Sequence, residues 1–372
     1  MSKVFQIKNT LKHYKDNFCD VSAVIDVLKY RNLNIVMDDL PGLMGLYHFG
    51  ISINPFAISA LNMSNDPIKH LLYRHRFEYL YYSGLNFDLS LAIIKQYLEQ
   101  DLPVIVSVDS EFFSTLFGSG NDFFESAIIK NYIRNKYTRP HRIVVFKIDD
   151  DSNLISFYDN NSSQPQILSK TDFKIAWEQN KTNLNCLHSC RNEMFIIYRS
   201  LISDNNKKMF SDSILDIANE IFYDPGWSTI GQFRGYNAKI KLGELFENSF
   251  TGILESELKP AMISLYLTSE IILGGGMGML KFSRFLQRCS KIFRNNHVAE
   301  LSDVYYQLGR QWREILACIY NEYCVKDIFI AEVINKNLLF TKIGKLLKSE
   351  FKANEIFNNN YKAMLAMRSE YV

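Results

Sequence analysis

Two β-branched, apolar runs joined by a short acidic turn constrain this chain more than any other feature. His141-Arg142-Ile143-Val144-Val145-Phe146-Lys147-Ile148 reads as a strand and Asp149-Asp150-Asp151-Ser152-Asn153 as a polar turn. Leu154-Ile155-Ser156-Phe157-Tyr158 reads as a second strand, ending at Asp159-Asn160. Strands joined in this way form an antiparallel hairpin, so the start of the first lies beside the end of the second. His141 and Asp159 are thereby brought close.

Further strand and helix signals surround this hairpin. The run Val104-Ile105-Val106-Ser107-Val108 after Pro103 reads as a buried strand, and Glu193–Tyr198 supplies another. Leu89–Gln100 has helical spacing, with Leu91, Ile94 and Leu98 on one side. Residues 1–18 are polar and mixed, and residues 31–65 carry turn signals around short apolar pieces. After about residue 205 strand patterns give way to helical ones, at 211–223, 236–248, 258–272, 279–294, 298–322 and 326–367. The expected architecture is an α+β domain over residues 1–205, followed by an all-helical domain over 206–372.

Composition narrows the function classes. A chain of 372 residues that is 47% hydrophobic can bury sizeable cores. Its formal net charge of +2 lacks the clustered basic excess of a nucleic-acid binder. The six cysteines do not make a disulfide framework. Cys186, His188 and Cys190 lie close together, but no second ligand pair follows at zinc spacing, so no metal is expected. The start Met1-Ser2-Lys3-Val4-Phe5 is not the apolar core of a signal peptide. No apolar run approaches the roughly 20 residues that span a bilayer. The expectation is a soluble cytoplasmic protein with reduced thiols and no membrane association.

The stretch from Asn17 to Tyr30 supplies the chemistry. Ala23, Val24, Val27 and Leu28 share one face of a helix, and Asn17 and Asp20 are candidate N-caps. The helix should begin at or just after Cys19. A thiol there meets unpaired backbone N–H groups and the positive end of a helix dipole, which favour the thiolate. On this stretch alone, Cys19 also fits the role of a small buried residue. His141 and Asp159 change that balance. A cysteine at a helix start, with a histidine and a carboxylate on adjacent strands, follows the logic of a catalytic triad.

These stretches resemble the family of the butirosin-biosynthesis acyltransferase. That family has a papain-like catalytic domain related to bacteriocin-processing C39 peptidases, followed by a helical domain. Cys19, with Ala23 and Leu28-Lys29-Tyr30, is similar to its nucleophile helix. Leu102-Pro103-Val104-Ile105-Val106 is similar to its Pro-Val-Ile-Val strand, and His141–Val145 with Tyr158-Asp159 is similar to its histidine strand and aspartate. Gly274-Gly275-Gly276-Met277, with Phe282 and Phe285-Leu286, is similar to its glycine-rich entry into a helix. The chain departs from the family at Phe18, often histidine, and at Asp101, usually glycine.

The resemblance implies a papain-like fold with Cys19, His141 and Asp159 as the triad. It also implies amide formation without ATP, from a carrier-protein phosphopantetheine thioester to an amine acceptor. Similar papain-like enzymes act in closthioamide assembly, where the acceptor is a diamine. The substrate's phosphopantetheine belongs to the carrier protein, and no cofactor of the chain's own is implied. The oxyanion hole would combine the Cys19 backbone N–H with a side chain upstream of it. Gln6, His13 and Asn17 are the candidates, Asn17 being nearest. The rival readings are a C39-type leader peptidase, a thioesterase and a non-enzymatic scaffold. The helical domain either mediates a homodimer or closes the acceptor pocket.

Other features have plainer readings. Gly274–Gly278 lacks the Lys-Ser/Thr of a phosphate loop and suits a close helix crossing or a lid. The basic-aromatic stretch 69–82 reads as a solvated helix face, or as a surface for a phosphopantetheine arm. Asp149-Asp150-Asp151 reads as a charged turn.

Overall fold

The computed structural model describes residues 3–16, 18–33, 35–44, 49–54, 57–62, 67–109, 140–160, 162–178, 192–200, 276–321 and 342–350, with shorter pieces between 209 and 357. The chain divides into two compact units. The first comprises Met1–Met37 and Leu72–Ser203, and the second Asp38–Leu71 and Asp204–Val372.

The first unit is built on a seven-stranded sheet. Its strands are β1 (Val4–Gln6), β4 (Phe77–Tyr82), β5 (Val104–Asp109), β6 (Pro140–Asp149), β7 (Leu154–Asp159), β8 (Gln166–Ser169) and β9 (Met194–Ser200). The order is β4-β9-β5-β6-β7-β8, with β1 also paired to β6 and every pairing antiparallel. The sheet is covered by helices α1 (Cys19–Tyr30), α4 (Phe87–Glu99) and α5 (Lys170–Glu178). β5 is buried along nearly its whole length, as its continuous Val/Ile run demands of a central strand. α1 is buried from Val21 to Leu28, so its mixed sequence serves a helix enclosed in the core.

The β6–β7 hairpin forms where the sequence places it. Its turn uses its own carboxylates: Asp149 accepts from the backbone N–H groups of Asp151 and Ser152, and Asn153 takes the left-handed conformation at φ 59°. Asp150 pairs with Lys95 at 2.7 Å and with Lys170 at 2.6 Å. The acidic turn is thus a tie between α4, α5 and the hairpin.

β1 was not apparent from the polar N-terminal pattern. Three residues are too few to show a period, and the strand exists because it pairs with β6 over Val4↔Asp149 to Gln6↔Lys147. Helix α1 begins at Cys19, but Asp20 lies inside its first turn and is not its N-cap. Phe18 holds the cap position in extended conformation, without a side-chain cap.

The second unit contains a three-stranded antiparallel sheet as well as helices. β2 (Phe49–Asn54) pairs with β3 (Ala57–Asn62) on one side and with β10 (Gln232–Arg234) on the other. The expectation of an all-helical region after residue 205 therefore fails at Gln232–Arg234. A three-residue strand whose partner lies far back in the chain leaves no local pattern. Its described helices include the short α2 (Leu40–Leu43), α6 (Met279–Phe293) and α7 (Asn296–Ile319), and α6 packs against α7 through Phe282 and Tyr305. Between the two units in sequence, α3 (Pro67–Arg74) precedes β4, so the 69–82 stretch is a helix and then an edge strand.

The described part of the glycine-rich segment, Gly276–Gly278, is a single tight turn into α6. Gly276 has φ 57°, and a Cβ there would overlap the backbone carbonyl of Gly309 in α7. The glycine serves close approach of two backbones. Gly274 and Gly275 lie outside the described residues.

Candidate active site

Three elements converge at one end of the seven-stranded sheet. The register of β6 against β7 sets Ile143 opposite Asp159. His141, two residues away on β6, points to the same side as Ile143 and is the diagonal neighbour of Asp159. Long side chains bridge that diagonal, and His141 Nε2 lies 2.6 Å from Asp159 Oδ1. The Asp159 side chain is only 3% exposed, so water competes little for this bond.

Cys19, the first residue of α1, reaches the same imidazole. Burial opposes a charged ring at His141. The Asp159 carboxylate and the adjacent Cys19 outweigh it and hold the histidine well above its ordinary 6.5. With Nε2 taken by Asp159, Nδ1 is the ring nitrogen left for the thiol. The structure thus brings Cys19, His141 and Asp159 together from residues far apart in sequence.

The segment leading to Cys19 is fastened to β7. Asn160, following Asp159, donates from Nδ2 to the Asp16 carbonyl at 3.0 Å, and Asp16 Oδ1 accepts from the Phe18 backbone N–H at 2.9 Å. Sequence reading placed Asn160 only at the end of a strand. Its tie to Asp16 crosses most of the domain and leaves no local signal.

The upstream oxyanion candidates fare differently. Gln6 sits exposed on β1 opposite Lys147, six residues along β6 from His141, which places it away from the site. His13 is committed elsewhere: Nδ1 lies 2.6 Å from Asp26 Oδ2, and its ring stacks on Tyr158. Asp26 is two turns further along α1 than Cys19, roughly 10 Å down the axis. Asn17 lies outside the described residues. The α1 N-terminus begins with Cys19, and Phe18 before it supplies no side-chain cap to the first-turn backbone N–H groups.

The other described cysteines differ in kind. Cys289 is fully buried, and burial together with Asp39 pushes its thiol well above the usual range, while Cys318 is exposed. Among the described residues no group of His, Cys, Asp and Glu is arranged to hold a metal ion. Cys186, His188 and Cys190 lie outside them. No described helix is long and apolar enough to cross a membrane.

No match was found among curated proteins. The sheet, the helix-borne cysteine and the histidine–aspartate pair all fit a papain-like cysteine enzyme. Residues 2–184 match the model of the Peptidase_C39 like family, which supports a papain-like, C39-like assignment for this part of the chain and a cysteine peptidase-like or related activity.

Proposed function

We propose that the chain is a cysteine-dependent acyltransferase that makes amides from carrier-protein thioesters. The observation that carries this reading is the Nε2–Oδ1 bond of 2.6 Å between His141 and Asp159, with Cys19 at the same ring. The Cys19 thiolate adds to the thioester carbonyl, the oxyanion takes hydrogen bonds at the α1 N-terminus, and the carbon–sulfur bond to pantetheine breaks. The imidazolium of His141 gives its proton to the departing pantetheine thiolate. The amine then attacks the Cys19 acyl-enzyme, His141 accepts its proton, and the amide leaves as the Cys19 thiolate is restored. One thioester is exchanged for another, so acylation needs no ATP. Asp159 holds the ring in orientation and balances the imidazolium.

The resemblance of the nucleophile helix, the Pro103 strand and the glycine-rich entry to the butirosin acyltransferase family supports transfer to an amine. The reading assigns a carrier protein as donor partner and an amine or diamine as acceptor, with no cofactor of the chain's own. A second reading, peptide hydrolysis by the same three residues, is favoured by the C39-like match over residues 2–184.

Intact-protein mass spectrometry with acyl-pantetheine, acyl-carrier thioesters and leader-type peptides separates the two. The proposal expects an acyl mass on the wild type, absent in Cys19→Ala and discharged by amine as an amide. Discharge by water alone indicates a thioesterase. Peptide cleavage with no acylation from any thioester overturns the proposal in favour of the peptidase.

A further inference from the structure

Behind the thiol and the imidazole runs a chain of charges, half-buried at Asp20 and buried at Arg142 and Glu193, that the reaction does not itself consume. Arg142 lies between two carboxylates. Its Nε is 3.2 Å from Asp20 Oδ1, and its Nη1 donates to Glu193 Oε2. Glu193 also accepts from Ser107 Oγ at 2.6 Å and from the Tyr81 hydroxyl at 2.9 Å. The guanidinium stands 5.3 Å from the centre of the Phe195 ring. Arg142 and Glu193 side chains are 4% and 2% exposed, so the pair is held away from water. Such a pair is retained only when its donors and acceptors are satisfied from fixed positions, as they are here from β4, β5 and the entry to β9.

The positions of these charges in the chain are telling. Asp20 directly follows Cys19, and Arg142 directly follows His141. One ion pair therefore joins the first turn of α1 to the start of β6, one residue from each reacting group. The other Asp20 oxygen, Oδ2, lies 4.0 Å from Cys19 Sγ. A carboxylate there, left alone, repels a thiolate and competes with His141 for the thiol proton. Engaged by Arg142, it becomes an anchor.

We propose that the Asp20–Arg142 ion pair, braced by Glu193, is a positioning clamp that sets Cys19 Sγ against the His141 imidazole. The clamp rests on the reading of Cys19 as nucleophile. Around the thiol the titrating groups are His141, Asp159 and Asp20, with Arg142 and Glu193 behind them. The clamp does not touch substrate. It acts through the distance between sulfur and ring, to which reaction rates are steeply sensitive.

The test is the alkylation rate of Cys19 by iodoacetamide in the full chain, read by peptide mass spectrometry across neutral pH. Wild type, Asp20→Asn, Arg142→Lys and Arg142→Gln are compared, with thermal unfolding of each. The clamp predicts that Asp20→Asn slows Cys19 alkylation by about tenfold or more and moves its pH dependence upward. Arg142→Lys keeps the charge but loses the fork, and falls between wild type and Arg142→Gln. If Asp20→Asn instead alkylates faster and at lower pH, Asp20 is only a repelling neighbour and the clamp is wrong. An unchanged rate and profile, with lowered thermal stability alone, overturns it equally. Should Arg142→Gln fail to fold, Asp20→Asn decides, because it leaves the Arg142–Glu193 pair in place. Wild-type Cys19 no more reactive than an ordinary exposed thiol sinks the nucleophile reading itself, and the clamp with it.

Discussion

Tyr30, the last residue of α1, donates its hydroxyl to the carboxylate of Asp101, whose backbone stands at φ 64°. The same carboxylate accepts from the Lys8 backbone N–H at 2.7 Å. Glycine suits a left-handed position, and aspartate is one of the few other residues that tolerate it. Here the aspartate adds a tie between the end of α1, the chain after β1 and the entry to β5. Asp101→Ala is expected to lose about 2 kcal/mol, from lost hydrogen bonds to a charged acceptor and a strained backbone. Asp101→Gly, free of that strain, should lose less. Urea unfolding of the two variants measures the order, and equal losses would rule out a backbone contribution.

His141 is held above its ordinary 6.5, so its pairing with Asp159 stabilises the fold most where the ring is charged in both states. That contribution is complete below about 6.5 and fades as pH rises from there through the higher value in the folded protein. Denaturant unfolding of wild type should weaken over this interval, and His141→Ala should lack that slope. In Asp159→Asn the burial that lowers the histidine is no longer outweighed by a carboxylate. The ring should then titrate lower, as followed by NMR of its carbon-bound protons.

The buried pair of His13 and Asp26 offers a stability test separate from catalysis. Asp26 is 1% exposed, accepts from the Tyr14 backbone N–H at 2.7 Å and is held above its ordinary 3.8, chiefly by burial. Removing the imidazole leaves a carboxylate stranded in the core. His13→Ala should lose about 3 kcal/mol at neutral pH, and less in acid where Asp26 can accept a proton. A loss independent of pH would mean that packing on Tyr158, and not the bond to Asp26, is what His13 supplies.

Gly276 and Gly309 test the second unit. A Cβ on Gly309 would stand 2.7 Å from the Leu280 side chain, and one on Gly276 would meet backbone at a positive φ. Gly309→Ala should lose about 1–3 kcal/mol through overpacking, and Gly276→Ala more, because a backbone carbonyl yields less than a leucine. Thermal unfolding with a probe in α6 or α7 would show it.

The pieces legible in the sequence were those whose signal is local. The β6–β7 hairpin, β5 and the onset of α1 at Cys19 each carry their own period or turn chemistry. The approach of His141 to Asp159 followed, because hairpin register converts sequence order into distance. What escaped reading depended on distant partners. β1 and β10 are three residues each and exist through pairing, while Glu193 meets Arg142 across 51 positions. Asp20 shows the limit most clearly. As a helix-start carboxylate it reads as a cap, and only the position of Arg142 makes it part of an ion pair.

The pairing of β2 with β10 has a consequence for synthesis. Some 180 residues separate Asn54 from Gln232, so at ordinary translation rates the β2–β3 hairpin waits roughly ten to forty seconds for its third strand. During that time the open β2 edge presents unpaired backbone groups to any neighbouring nascent chain. Slower elongation lengthens the exposure. Yield of intact protein should therefore depend on translation speed between those positions, and on chaperones that occupy an open strand edge.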